Sequence, residues 1–312
     1  MMQEKPISSE LFAPAHRKED ADKITRPTIG YWEDVVRRLK QNKLAMLGLI
    51  LIVLMMIMAF VGPHISGYTY FEQKLTEMNI EPNGKYYFGT DTLGRDLFTR
   101  VCYGIRYSLL IGILAAIMDF VIGVGYGGIA GMANSKVDTV MMRVAEIAYA
   151  IPYMLIVILM SVTLGKEQGA SLITLVLAMS ITGWVPMAIM VRGQVLQLRE
   201  NEYVLASRSL GANKNYLLTK HIIPNTLGPI LVNVTLTVPR AIFAEATLSF
   251  MGLGLQPPQP SLGVLATDGL EVMGIGLFYQ MLIPALFISL IMFSFNVFGD
   301  GLRDALDPRL RK

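Results

Sequence analysis

"LAMLGLILIVLMMIMAFVG", residues 44–62, contains no charged side chain. Coiled into an α-helix at about 1.5 Å per residue it reaches roughly 28 Å, close to the ~30 Å hydrocarbon core of a bilayer. Backbone in lipid must satisfy its own hydrogen bonds, so an apolar run of this length is read as a spanning helix. A secretory signal is the competing reading. Here the run follows more than 40 mostly polar residues, exceeds an ordinary signal core and is not followed by a small-residue cleavage site, so a retained anchor is expected.

The same length test, carried outward along the chain, finds five further spans, at 107–133, 139–164, 171–191, 226–250 and 277–298. The expected fold is an all-α integral membrane protein with six transmembrane helices. Composition agrees. The chain is 53% hydrophobic and only 16% charged, against about a quarter charged in soluble domains, and its mean hydropathy is +0.48. The organisation that follows is a tail and interfacial helix at 1–43, the first span at 44–62, an extracytoplasmic loop at 63–106, a core of five spans at 107–300 and a tail at 301–312. Within the first part, "YWEDVVRRLKQNK" (31–43) has the pattern of a helix lying on the membrane surface, with Tyr31 and Trp32 suited to the interface.

Basic residues orient the spans. Arg37, Arg38, Lys40 and Lys43 precede the first, Arg192, Arg199, Arg208, Lys214 and Lys220 lie between the fourth and fifth, and Arg303, Arg309, Arg311 and Lys312 close the chain. Residues 255–276 hold Asp268 and Glu271 but no Lys or Arg. Cytoplasmic loops are enriched in Lys and Arg, so both termini and the 202–225 segment are expected inside and 255–276 outside. The net charge of +3 and pI near 8.8 therefore describe juxtamembrane charge, and no nucleic-acid partner is expected.

Chemistry carried by the chain itself is sparse. Cys102 is the only cysteine, and His16, His64 and His221 are far apart, so neither an internal disulfide nor a metal site is expected. Gly123, Gly125 and Gly128 spell G-x-G-x-x-G, but inside an apolar helix rather than after a strand, which removes the dinucleotide reading. Gly123, Gly127 and Gly131 instead recur every fourth residue, a face on which a neighbouring helix can come close. No G-x-x-x-x-G-K-[ST] loop is present, so no ATP site and no catalytic residue is expected in this chain.

Between the fourth and fifth apolar runs lies "EYVLASRSLGANKNYLLTKHIIPN" (202–225). Asn201 or Glu202 can open a helix in which Tyr203, Val204, Ser207 and Leu210 recur at helical spacing; Gly211 permits a sharp break before Asn213, and Pro224 fits the first turn of the next span. The segment resembles the "EAA" loop of ABC-importer permeases. Ala206 and Ser207 match its two alanines, Gly211 its glycine and Pro224 its proline, while Leu205 stands where that loop has glutamate. "FGTDTLGRDLFTRVCYGIRYSL" (88–109), "GGIAGMANSKVDTVMMRVAEIAYAIPYML" (127–155), "LSFMGLGLQPPQPSLG" (248–263) and the ending "FGDGLRDALDPRLRK" are similar to segments of the C-type subunit of oligopeptide and dipeptide permeases, a pattern that nickel permeases share.

The resemblance implies a type I importer permease fold with a cytoplasmic coupling helix between helices 4 and 5, in a prokaryotic cell membrane. It also implies partners: a second permease, two cytoplasmic ATPases that use ATP and Mg, and an extracellular or periplasmic binding protein that delivers a peptide. Glu202, Tyr203, Ala206, Ser207, Leu210, Gly211, Ala212 and Asn213 would then form the ATPase contact.

Polar residues within the spans are candidates for the translocation path or gate. Asp119 falls about 21 Å from the cytoplasmic end of its span, where a bare carboxylate costs roughly 2.5–3.5 kcal/mol. It is expected either to pair with a cation or hydroxyl on another helix or to line a watery cavity. Asn233, Thr237, Arg240 and Glu245 share the fifth span, and Arg240 and Glu245 are expected to meet the partner permease or substrate near the outer gate. Arg143 and Glu146, at i and i+3, are expected to form an ion pair. An ion-driven secondary transporter would need several buried acids where only Asp119 is clearly mid-membrane, and a membrane enzyme would need a nucleophile and base or a metal set.

Overall fold

The computed structural model describes residues 30–164 and 171–307; the tail at 1–29 and the last basic cluster of Arg309, Arg311 and Lys312 lie outside the described residues. Helix α1 (Tyr31–Gln41) buries Val35 against the end of the chain's last helix. Asn42 then starts a new helix by accepting the Ala45 N–H at 3.1 Å, leaving a corner between α1 and α2 (Lys43–Ser66). Gly67, at φ 71°, ends α2 in the left-handed conformation that glycine adopts at no steric cost.

Helix α3 (Leu97–Met132) begins at Leu97 rather than at 107, because Asp96 caps it through the Thr99 N–H at 2.8 Å. After it come α4 (Ser135–Ala150), α5 (Tyr153–Leu164), α6 (Leu172–Gly183) and α7 (Val185–Leu198). The short α8 (Glu202–Ser209) and α9 (Lys214–Tyr216) lead through a π-helical turn, Leu217–Ile222, into α10 (Ile223–Phe250). Helices α11 (Leu262–Glu271) and α12 (Tyr279–Leu306) complete the described chain.

Lys43–Ser66, Leu97–Met132, Lys214–Phe250 and Tyr279–Leu306 are long and apolar enough to cross a bilayer. The third and fourth expected spans are not single straight helices. The α4–α5 pair bends by 79° and the α6–α7 pair by 43°, so six spans result when each pair is one broken span. The first break lies at Ile151-Pro152: proline has no N–H for the helical ladder and disfavours helical backbone at the residue before it. Arg143 and Glu146 on α4 do form an exposed ion pair at 2.8 Å.

Helix α3 is the axle of the bundle, packing on α2, α6, α7, α10 and α11. Its Gly123, Gly127 and Gly131 face α7. A Cβ at Gly123 would meet the Met187 side chain at 2.6 Å, one at Gly131 would meet Val195 at 2.7 Å, and one at Gly127 would run into the Ala188 backbone. Helix α2 packs on α12 in the same manner, while Leu47, Ile50, Leu54 and Ile57 on its other face are exposed. An unpartnered apolar ridge on a helix of this length suits lipid.

One end of the bundle is closed by residues 67–96 and α11. Asp91 receives both the Arg95 Nε, at 2.7 Å, and the Arg100 guanidinium, and Arg100 also reaches Asp268 of α11 at 3.3 Å. Asp91 and Arg100 are each only 3% exposed, a burial that paired charges tolerate and single ones do not. Tyr279 donates to the Ile80 and Thr90 carbonyls at 3.0 and 3.1 Å, tying the loop to the start of α12. Within 255–276 the chain turns at Pro257 and Pro258, and Ser261 then caps α11 through the Val264 N–H.

Candidate functional site: an exposed helix and an open cavity

The apolar pattern of α8 is lopsided. Val204, 2% exposed, packs into a cluster with Val191, Val195, Leu217 and Ile222, and Ala212 rests against the same cluster. On the other side Glu202, Tyr203, Leu205, Ala206 and Leu210 are exposed, Leu210 at 89%. The element is held in shape by its own bonds. Gly211 adopts φ 91° and donates to the Arg208 carbonyl at 3.0 Å, and Asn213 caps the next turn through the Tyr216 N–H at 2.8 Å. Ser207 lies 3.4 Å from His221 Nε2, and the His221 ring sits 6.3 Å from that of Tyr203 and 5.6 Å from that of Tyr216. The helix is thus pinned on one side and presents Tyr203, Leu205, Ala206 and Leu210, together with Glu202 and Arg208, on its bare side.

A turn at 199–201 separates α8 from α7, and α7 is tied to its neighbours by charge. Arg192 grips Asp138 of α4 with two bonds at 2.5 and 2.6 Å, and Arg199 donates to the Gly131 carbonyl at the end of α3 at 2.9 Å. A two-pronged guanidinium–carboxylate pair fixes orientation as well as distance. The clamp joins α7 to α4, whose far end is the break at Pro152.

That break lines a cavity of about 550 Å³. Its walls come from α3 (Ala115, Asp119), the α4–α5 break (Tyr149, Pro152, Tyr153), the α6–α7 bend (Thr182, Gly183, Pro186) and α10 (Asn233, Thr237, Arg240). Asp119, Asn233, Thr237 and Arg240, proposed from sequence as path residues, come together here. Thr237 spends its proton on the Asn233 carbonyl at 3.0 Å, and Arg240 is exposed. Asp119 does not find the cation or hydroxyl that one of its two readings required: it is 7% exposed and its Oδ1 has no hydrogen-bond partner among the described residues.

Glu245 stands apart from the cavity and corrects the expectation of a gate or substrate contact. It is 0% exposed and accepts hydrogen bonds from Ser249 at 2.8 Å, Ser261 at 2.5 Å and Ser108 at 3.2 Å. Ser108 and Ser261 in turn accept the Leu262 and Val264 N–H groups. The carboxyl group thus sits behind the N-terminus of α11, where negative charge is favoured, and fixes α11 to α3 and α10.

Sequence reasoning missed Thr182, Gly183 and Tyr153. The signal available was "SITGWVP" (180–186), where a polar residue, a glycine and a proline interrupt an apolar run.

The described residues thus form a bundle of broken and straight spans with an open, largely apolar cavity that carries a few polar side chains, and similarity to known proteins places such a chain among transport permeases rather than catalytic subunits. Residues 123–312 match the family model for the binding-protein-dependent transport system inner membrane component, and residues 30–82 match the N-terminal TM domain of oligopeptide transport permease C. The chain belongs to the family of binding-protein-dependent transport system inner membrane components. It is 49% identical to the dipeptide transport system permease protein DppC of Bacillus subtilis (strain 168), over 99% of this chain and 96% of the relative. It is also 49% identical to the oligopeptide transport system permease protein OppC of the same organism, over 98% of this chain and 99% of that one. A chain of the MetNI methionine ABC transporter, solved in inward-facing conformations, shares the fold of ABC importer permeases with a TM-score of 0.53 at 21% identity, covering 65% of this chain and 94% of that one.

Proposed function

We propose that this chain is the C-type permease subunit of an ATP-driven peptide importer. In this reading it pairs in the cell membrane of a prokaryote with a second, related permease, with both termini in the cytoplasm. A binding protein delivers the peptide from outside, and two cytoplasmic ATPases using ATP and Mg bind below. The observation that carries the reading is 49% identity, over nearly the whole length, to permeases named for dipeptide and oligopeptide transport.

The geometry supports the following mechanics. The exposed face of α8, with Tyr203, Ala206 and Leu210, docks in a cleft of one ATPase. Closure of the ATPase dimer shifts α8 as a rigid body, with Gly211 and Asn213 as its far joint. The Arg192–Asp138 clamp passes the shift to α4, and the α4–α5 break moves one wall of the cavity. Small displacements suffice, since packed helices switch between discrete arrangements.

Deletion of the gene in its host should abolish uptake of labelled dipeptides and oligopeptides, and a plasmid copy should restore it. The assay is accumulation in whole cells. Undiminished peptide uptake in a strain with no other peptide importer would overturn the reading.

A further inference from the structure

We propose, resting on the peptide-importer reading, that Asp119 and Thr182 form a station in the permeation path for one protonated nitrogen of the passing peptide: its N-terminal ammonium or a basic side chain.

Among the described residues the buried side-chain polar atoms without a hydrogen-bond partner are Arg100 Nε, Asp119 Oδ1, Ser161 Oγ and Thr182 Oγ1. Two of these four, Asp119 and Thr182, line one cavity. They come from different spans, α3 and α6, and are 7% and 4% exposed. A buried acceptor without a donor is destabilising, and in a membrane protein a lone carboxylate more so, so the pair marks a place that something else completes. The chemistry of that something is narrow. A carboxylate oxygen only accepts and a hydroxyl can accept as well, so the complement is a group rich in donors; an ammonium carries three.

The backbone is shaped around this carboxylate. A Cβ at Gly183 would lie 2.7 Å from Asp119 Oδ1 and 2.9 Å from Oδ2, so any other residue at 183 would push the acid out of its place. The station is therefore sited at the bend between α6 and α7. Arg240 of α10 lines the same cavity and supplies the opposite charge for a peptide carboxylate. Asn233 and Thr237 beside it leave the rest of that wall neutral. A cavity with an acid on one span and a guanidinium on another matches a zwitterion, while Asn233 offers a neutral group for the amide backbone between the two ends.

The test uses Asp119→Asn and Thr182→Val in the full chain, expressed with its operon in the host. Uptake is measured for three peptides that the wild type accepts: one with a free N-terminus and neutral side chains, its N-acetylated form, and an N-acetylated form with an internal lysine. Each variant rate is divided by the wild-type rate for the same peptide, which cancels the preferences of the binding protein. Asp119→Asn is expected to cut the ratio about tenfold for cationic peptides, as loss of a charge-assisted bond implies, and to leave the N-acetylated neutral peptide near one. A drop for the free N-terminus alone, or for the lysine peptide alone, identifies the source of the nitrogen. Thr182→Val, of nearly equal volume, is expected to act in the same direction and more weakly. Equal ratios for all three peptides in both variants, whether lowered together or unchanged, would overturn the station. If gene deletion itself left uptake intact, the importer reading would fail instead.

Discussion

Gly211→Pro is expected to reduce peptide uptake to a few per cent of wild type while the chain still inserts and assembles. Gly211 sits at φ 91° and gives its N–H to the Arg208 carbonyl. Proline holds φ near about −65° and has no N–H, so the joint must open and the angle between α8 and α9 must change. Nothing lies within 4 Å of a Cβ built at this position, so the loss comes from backbone geometry and not from a clash. Gly211→Ala separates the two components, since it keeps the donor and adds only the left-handed strain of about 1–2 kcal/mol. It should retain intermediate uptake. Quantitative immunoblotting of membranes alongside the uptake assay keeps lost assembly distinct from lost coupling.

Glu245→Ala is expected to have the opposite profile: little folded subunit is recovered, and what remains melts several degrees lower in detergent. The substitution leaves the hydroxyls of Ser108, Ser249 and Ser261 without their acceptor in a site that is 0% exposed. Each orphaned buried group costs about 1–3 kcal/mol, and the carboxyl-sized void adds to that. Because Ser108 and Ser261 hold the first N–H groups of α11, the damage should spread to α11 and to the Arg100–Asp268 pair beyond it. Glu245→Gln keeps the volume and one acceptor oxygen and should recover most of the yield. A fully assembled, stable Glu245→Ala subunit that fails only in transport would return Glu245 to the path.

The spans were legible because lipid imposes one rule on every segment: runs such as 44–62 must be apolar and long. What hydropathy could not show is where a run is broken. A window sums over Ile151-Pro152 and over Trp184 without registering a joint, so two bent pairs read as two straight helices. The start of α3 was missed for a related reason. Arg100 and Arg106 look like loop residues in sequence, but Arg100 is neutralised by Asp91 and Asp268, partners that only the fold supplies.

The site was legible in proportion to how local its chemistry is. The α8 element is a continuous stretch whose break, caps and apolar face can be read residue by residue. Glu245 was misplaced because Ser108 lies 137 positions away and nothing along α10 announces it. Asp119 was conspicuous as a carboxylate in an apolar run, whereas Thr182 was not. A threonine in an apolar helix usually gives its hydroxyl to a carbonyl one turn back, as Thr237 does; only the three-dimensional arrangement reveals that Thr182 does not.

A single-cysteine crosslink tests most directly whether α8 is the surface through which an ATPase drives this subunit. With Cys102 replaced by alanine, Leu210→Cys places a thiol at a side chain that is 89% exposed. In native membranes from cells expressing the whole operon, a short bifunctional thiol reagent should join this chain to an ATPase carrying cysteines along its cleft, and trapping the ATPases with a non-hydrolysable ATP analogue should change the yield. A thiol at 210 that reacts with a membrane-impermeant reagent added outside intact cells, and never crosslinks to the ATPase, would contradict both the orientation of the chain and the coupling role of α8.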